Sequence, residues 1–128
     1  MKKPSAKILI VEDETLISWS LANALKKAGF TVVIAETGEK ALEKLSSSGY
    51  DLVITDLNLP QIDGFEVASS VKKYSSEIPV LMMTTKDKQV VSNLSSPDDV
   101  DSFIEKPFDL REIIALVNEC IQRKAPRL

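Results

Sequence analysis

A chain of 128 residues is long enough for one domain whose buried core needs neither disulfides nor a structural metal. Its composition, 44% hydrophobic and 27% charged, is ordinary for a globular protein, and a net charge of −3 gives no electrostatic reason to expect direct nucleic-acid binding. The single cysteine excludes an intrachain disulfide, and the absence of histidine excludes His-based triads and His-ligated metals, which leaves carboxylates, hydroxyls and lysines for any chemistry.

Hydrophobic runs in this sequence are short. None approaches the roughly 20 residues that a membrane-spanning helix needs. The basic N-terminus leads into only four strongly apolar residues, too few for a signal peptide. We therefore expect a cytoplasmic protein with no membrane contact.

Apolar runs alternate with amphipathic segments along the whole chain. In chain order, runs rich in branched side chains predict strands at 8–11, 31–34, 52–54, 80–83 and, more weakly, 102–104. Apolar residues at helical spacing predict helices within 17–28, 41–45, 65–71 and 110–121, and a less regular one within 90–94. Five such units predict an α/β fold, an open parallel sheet with helices on both faces, in one domain.

The helix ends carry recognisable signals. Gly29 is expected to terminate the first helix. Asp109, with Glu112 three residues later, predicts a capping box at the start of the last helix. Within the helices, Trp19 is expected to be a partly buried aromatic and Cys120 a small core residue.

Polar side chains follow four of the predicted strands. Glu12 and Asp13 follow the first strand, Asp56 the third, Thr84 the fourth and Lys106 the fifth. Because the carboxyl ends of parallel strands meet at one edge of the sheet, where ligands bind in such folds, we expect these side chains to converge.

The chemistry of this set points to a metal and a phosphoryl group. Clustered carboxylates repel one another unless a cation intervenes, and Mg²⁺ is the ion that a few carboxylates and phosphate oxygens prefer. A lysine and a hydroxyl beside that ion would stabilise phosphoryl oxygens during transfer. Asp56, alone at its strand end, is the better candidate for the acceptor, and Glu12 and Asp13 for the metal ligands.

Each feature also has an ordinary structural interpretation. Asp56 alone would be read as a turn residue, Thr84 as a buried hydroxyl bonded to the backbone, and Glu12 with Asp13 as the acidic start of a helix. Four such features at four strand ends of one sheet favour the functional interpretation.

Taken in order, these motifs resemble the response-regulator receiver domain of two-component signalling. The resemblance rests on residues 8–14, on 56–60 with Asp63 and Gly64, on Thr84 and on 106–108, and it covers about residues 6–122. It implies one doubly wound (βα)5 receiver domain over 1–128 with strand order 2-1-3-4-5. Residues 123–128 would be a tail or the start of a linker.

The resemblance also implies roles. Asp56 would take a phosphoryl group from the phosphohistidine of a sensor histidine kinase or phosphotransfer protein. Glu12, Asp13, Asp56 and the backbone carbonyl of Asn58 would hold Mg²⁺, with Mn²⁺ as an alternative, and Lys106 would pair with the phosphoryl oxygens. The domain would be a signalling module rather than an enzyme, assisting its own phosphorylation and dephosphorylation, with a downstream effector domain or protein and a homodimer as further partners.

Switching is implied as well. Thr84 would move to hydrogen-bond the phosphoryl group and Phe103 would swing inward, changing the surface formed by the fourth helix, fifth strand and fifth helix. Asn58 and Lys86 would tune the phosphate lifetime. Two departures from the family pattern are Thr85, expected to narrow access to the site, and residues 95–100, which predict a short or irregular fourth helix.

Three other interpretations remain. A phosphatase of the haloacid-dehalogenase type also uses a strand-end aspartate, but Asn58 stands where its second aspartate would be. A receiver-like interaction module that is never phosphorylated would retain the same side chains without using them. A flavodoxin-like cofactor binder would share the fold, although no phosphate-cradling glycine loop is present.

Overall fold

The computed structural model describes residues 6–47, 49–85 and 99–124. In these ranges the strands are β1 (Lys7–Val11), β2 (Thr31–Ala35), β3 (Leu52–Asp56), β4 (Val80–Thr84) and β5 (Ser102–Glu105). The helices are α1 (Thr15–Lys27), α2 (Gly38–Ser47), α3 (Gly64–Tyr74) and α4 (Leu110–Lys124). The last of these corresponds to the predicted fifth helix, and we call it the C-terminal helix.

The strands form one parallel sheet in the order β2-β1-β3-β4-β5, which confirms the predicted fold class and order. The strands are slightly longer than predicted. Asp56 pairs with Met83 and Thr84 pairs with Glu105, so the two polar residues are the last members of β3 and β4 rather than residues that follow them. Their backbones are consequently fixed by the sheet.

Hydrophobic residues cover both faces of the sheet. Because side chains alternate along a strand, Ile8 and Ile54 pack in one cluster with residues of α1 and the C-terminal helix, whereas Leu9 and Val53 pack in another with residues of α2 and α3. Cys120 is buried in the first of these clusters, as predicted. This double burial explains why the strands are uniformly apolar in sequence.

The helix ends agree only in part with the sequence signals. Gly29, with φ of +102°, lies just past the end of α1 and confirms that C-terminal signal. Asp109 precedes and caps the C-terminal helix as predicted, but without the bonds of a capping box: its carboxylate accepts from the Arg111 backbone N–H at 2.8 Å, and the Glu112 N–H donates to the Asp109 carbonyl oxygen.

Trp19 is 62% exposed, which contradicts the expected partial burial. The reason is helical geometry. Leu21 and Leu25 form the buried face of α1, and a residue two positions from Leu21 lies on the opposite side of the helix.

Several predicted features lie outside the described residues: Lys86, the helix expected within 90–94, most of the irregular segment 95–100 and the last four residues of the chain. The described residues contain no helix that could span a membrane.

Candidate functional site

Three side chains meet at the carboxyl edge of the sheet. Glu12 follows β1, Asp56 ends β3 and Lys106 follows β5. The Lys106 Nζ lies 3.0 Å from Glu12 Oε1 and 3.1 Å from Asp56 Oδ2, so one ammonium group bridges two carboxylates. The order of strands explains the contact, because β1, β3, β4 and β5 lie side by side and the long lysine side chain spans the gap.

Glu12 is an inward-facing carboxylate, and its residue is only 1% exposed. Its second oxygen, Oε2, accepts a hydrogen bond of 3.1 Å from the Glu14 backbone N–H. Burial raises the pKa of Glu12 to about 7, although the hydrogen bonds from Glu14 and Lys106 oppose the shift. A nearby cation favours the ionised form of Glu12, and the pKa of about 7 already includes the lowering by Lys106.

Lys106 supplies that cation in the structure. Burial lowers the pKa of its ammonium group, but the hydrogen bonds and negative charges of Glu12 and Asp56 outweigh burial and hold the pKa above its ordinary value. Both carboxylates and the ammonium are nearly excluded from solvent. Their interaction is thus screened much less than that of a surface ion pair.

A third carboxylate completes an acidic cluster. Asp13 is exposed, and one of its oxygens lies within 4.8 Å of oxygens from Glu12 and Asp56. A set of carboxylate oxygens at this separation fits a hard divalent cation such as Mg²⁺, which binds oxygen ligands and keeps part of its water shell. The donor chemistry of these residues therefore agrees with a Mg²⁺ site.

Asn58 is the second residue after β3. Its side chain is exposed, and its backbone N–H donates to Asp56 Oδ1 at 3.3 Å. With Lys106 on the other oxygen, both oxygens of Asp56 have a donor. The carboxylate orientation is therefore fixed from two sides.

Thr84 lies next to this cluster, whereas Phe103 has its contacts in the hydrophobic core. Thr84 is fully buried at the end of β4, and its carbonyl oxygen accepts from the Lys106 backbone N–H at 2.8 Å. Phe103 is half-buried in β5 and packs against the core cluster that contains α2 and α3. Thr84 is thus adjacent to the lysine that binds Asp56.

Gly64 is a residue whose importance the sequence did not reveal. A Cβ on Gly64 would overlap the carbonyl oxygen of Asp56 and lie 2.8 Å from the Cα of Leu57. Its N–H donates to the Leu57 carbonyl at 2.9 Å, and the neighbouring Asp63 caps α3 through a bond from the Glu66 N–H. The Asp63-Gly64 pair was the available signal, but only the structure relates it to the backbone that carries Asp56.

Taken together, the site is a cluster of three carboxylates with the Lys106 ammonium bound to two of them. The carboxylates of Glu12, Asp13 and Asp56 can hold a divalent metal, and the Lys106 ammonium can neutralise an anionic group brought beside Asp56. A carboxylate placed between a metal site and an ammonium is suited to accept a phosphoryl group.

Comparison with known proteins identifies relatives over most of the chain. The family described as response regulator receiver domain matches residues 8–118. The alkaline phosphatase synthesis transcriptional regulatory protein PhoP of Bacillus subtilis is 36% identical over 117 residues, covering 91% of this chain and 49% of that protein. The sensory transduction protein RegX3 of Mycolicibacterium smegmatis is 35% identical over 118 residues, covering 92% and 51%. The chain thus spans about half the length of these relatives.

Solved structures give the same picture. A CheY-like response regulator receiver domain protein from Methanospirillum hungatei superimposes with a TM-score of 0.88 at 28% identity, covering 94% of this chain and 96% of that one. The response regulator protein TrrA of Thermotoga maritima, in complex with Mg²⁺-BeF, gives 0.82 at 34% identity, covering 90% and 98%.

Proposed function

The chain belongs to the response regulator receiver domain family, and from that premise we propose that Asp56 is its phosphoacceptor. Receiver domains of two-component response regulators are phosphorylated on an aspartate and work with histidine kinases and effector domains. The observation that carries the proposal is the environment of Asp56, whose carboxylate is 3.1 Å from the Lys106 ammonium and within 4.8 Å of the Glu12 and Asp13 carboxylates.

In the proposed reaction, one Asp56 oxygen forms a bond to phosphorus while the bond from phosphorus to the nitrogen of the donor histidine breaks. Glu12, Asp13 and Asp56, with the carbonyl of Asn58, would hold Mg²⁺, or Mn²⁺ in its place. When bound, the metal would neutralise charge on the phosphoryl oxygens.

The chain's own residues would do the rest. Lys106 would turn its ammonium from the Asp56 carboxylate towards the new phosphoryl group, because phosphorylation replaces one oxygen anion by a more highly charged group. Its second partner, Glu12, would keep the lysine close to the site. The domain would in this way assist its own phosphorylation and dephosphorylation.

Switching and lifetime belong to the same proposal. Thr84 would donate its hydroxyl to the phosphoryl group, and Phe103 would then move inward within β5. Asn58 and Lys86 would tune the phosphate lifetime. A histidine kinase or phosphotransfer protein in the cytoplasm would supply the phosphoryl group, and an effector domain or protein, or a second copy of the chain, would respond.

Domain limits are proposed as well. Residues 1–128 would form one receiver domain, with its core at about 6–122 and with 123–128 as a tail or the start of a linker.

The test uses intact mass. The protein is incubated with acetyl phosphate and Mg²⁺, alongside Asp56→Asn and the control Asp51→Asn, which alters the other end of β3. We expect one phosphoryl group on the wild type and on Asp51→Asn, dependence on Mg²⁺, and no gain on Asp56→Asn. A folded wild type that binds Mg²⁺ but gains no mass would favour an interaction module that is never phosphorylated. Continuous release of phosphate from small esters would favour a phosphatase.

A further inference from the structure

An apolar pocket shares one residue, Lys106, with the candidate site. Its volume is about 370 Å³, and it is lined by Ile17, Thr85, Lys106, Pro107 and Phe108. Pockets that bind small molecules have volumes of roughly 300–1,000 Å³ and mainly apolar walls with a few polar groups. The pocket therefore has the size and lining of a small-molecule site.

Lys106 connects this pocket to the acidic site. It lines the pocket, and its ammonium is also 3.1 Å from Asp56 Oδ2. Thr85 makes a second connection, because it directly follows Thr84 at the end of β4. A ligand with its apolar part among Ile17, Pro107 and Phe108 would thus have its other end at the charged group that faces Asp56. Because the Lys106 ammonium is positively charged, it favours a ligand whose other end is anionic.

We propose that this pocket binds the acyl chain of an acyl phosphate and makes small acyl phosphates of three or four carbons preferred phosphodonors. The inference rests on the proposed function, since it assumes that Asp56 accepts the phosphoryl group. In the transfer, an Asp56 oxygen forms a bond to phosphorus, and the bond from phosphorus to the acyl oxygen breaks. The electron pair leaves with the acyl group as a carboxylate anion, so the step needs no oxidant and no other co-reactant.

The expected dependence on chain length follows from apolar burial. Full burial of one methylene group is worth about fourfold in binding. Because the pocket is open to solvent on one side, we expect about threefold per methylene in the second-order rate constant, and about tenfold from acetyl to butyryl phosphate. These donors have leaving groups of nearly equal basicity, so their intrinsic reactivity is matched.

Ile17 offers the cleanest variant of the pocket wall. It is half-buried on α1 and belongs to neither core cluster of the described chain, and alanine is a better helix former than isoleucine. The adjacent Leu16 is 80% exposed and does not line the pocket, so Leu16→Ala is a matched control.

The experiment measures initial rates of phosphorylation by intact mass with acetyl, propionyl and butyryl phosphate at equal concentration and saturating Mg²⁺. We expect the butyryl-to-acetyl ratio to be about 10 for the wild type and for Leu16→Ala, and about 3 or less for Ile17→Ala. Ile17→Val should give an intermediate ratio, and this milder change serves if Ile17→Ala does not fold.

Two failures are distinguishable. If all three donors phosphorylate the wild type at equal rates, the proposed binding of the acyl chain is wrong, although Asp56 remains the acceptor. The pocket would then be expected to bind an apolar side chain of a protein phosphodonor. If none of the donors phosphorylates the protein, the proposed function itself fails, and the inference fails with it.

Discussion

Replacing Gly64 with alanine should destabilise the domain and disturb the site together. The new Cβ would overlap the Asp56 carbonyl oxygen and approach the Leu57 Cα to 2.8 Å. Both obstacles are backbone atoms, so no rotamer change can relieve them. The start of α3 must shift away from the end of β3, and that shift pulls on the residue that carries the acceptor carboxylate.

The size of the effect follows from two opposing contributions. Forcing an extra carbon into close-packed backbone costs about 3–4 kcal/mol, at the upper end of overpacking penalties. Alanine recovers up to about 1 kcal/mol through its higher helix propensity. We therefore expect Gly64→Ala to lower the free energy of unfolding by about 2–4 kcal/mol.

Urea denaturation followed by circular dichroism measures this change, and Gly49→Ala is the control. A Cβ on Gly49 would meet nothing within 4 Å, so that variant should stay within about 0.5 kcal/mol of the wild type. The affinity of Gly64→Ala for Mg²⁺, measured by calorimetry, should also fall. If both glycine variants had the same stability, the close approach of α3 to β3 would be refuted as a constraint.

Other predictions concern the charges. At pH 8 without metal, Lys106→Met should lower the free energy of unfolding by about 2–3 kcal/mol, because the buried carboxylates lose their only bridging cation in the described chain. Urea denaturation measures this loss, and added Mg²⁺ should restore most of the stability. An unchanged free energy of unfolding would contradict this role of Lys106. Since burial raises the pKa of Glu12 to about 7, Mg²⁺ must displace a proton from Glu12 below that pH. The affinity of the protein for Mg²⁺, measured by calorimetry, should therefore rise about tenfold from pH 6 to pH 8. An affinity that does not change with pH would refute the raised pKa. Asp101→Asn should lower the free energy of unfolding in urea by about 1.5 kcal/mol, because the Asp101 carboxylate accepts from Lys72 Nζ at 2.9 Å and from the Val80 N–H at 2.7 Å. A loss below about 0.5 kcal/mol would exclude a structural role for these two hydrogen bonds.

Much of the fold could be predicted because periodicity and strand-end position are local properties. The apolar runs located each strand to within one or two residues. The rule that parallel strands end at one edge then predicts that Glu12, Asp56 and Lys106 converge. These three side chains are indeed in contact.

What the sequence could not supply was side-chain direction and close approach. Glu12 was expected to act as a metal ligand, yet one of its oxygens binds Lys106 and the other accepts from the Glu14 N–H. The exposure of Trp19 depended on which face of α1 packs on the sheet. The tight fit of Gly64 depended on how α3 approaches β3, a tertiary relation that no local pattern encodes.

The most direct test of the account locates the phosphoryl group on the chain. The protein is phosphorylated in the presence of Mg²⁺ and then treated with borohydride, which reduces an aspartyl phosphate to homoserine. The protein is then digested, and the peptides are sequenced by mass spectrometry. If Asp56 is the phosphoacceptor, homoserine will be found at position 56 alone. Homoserine at Asp13 or at another carboxylate, with position 56 unchanged, would contradict it.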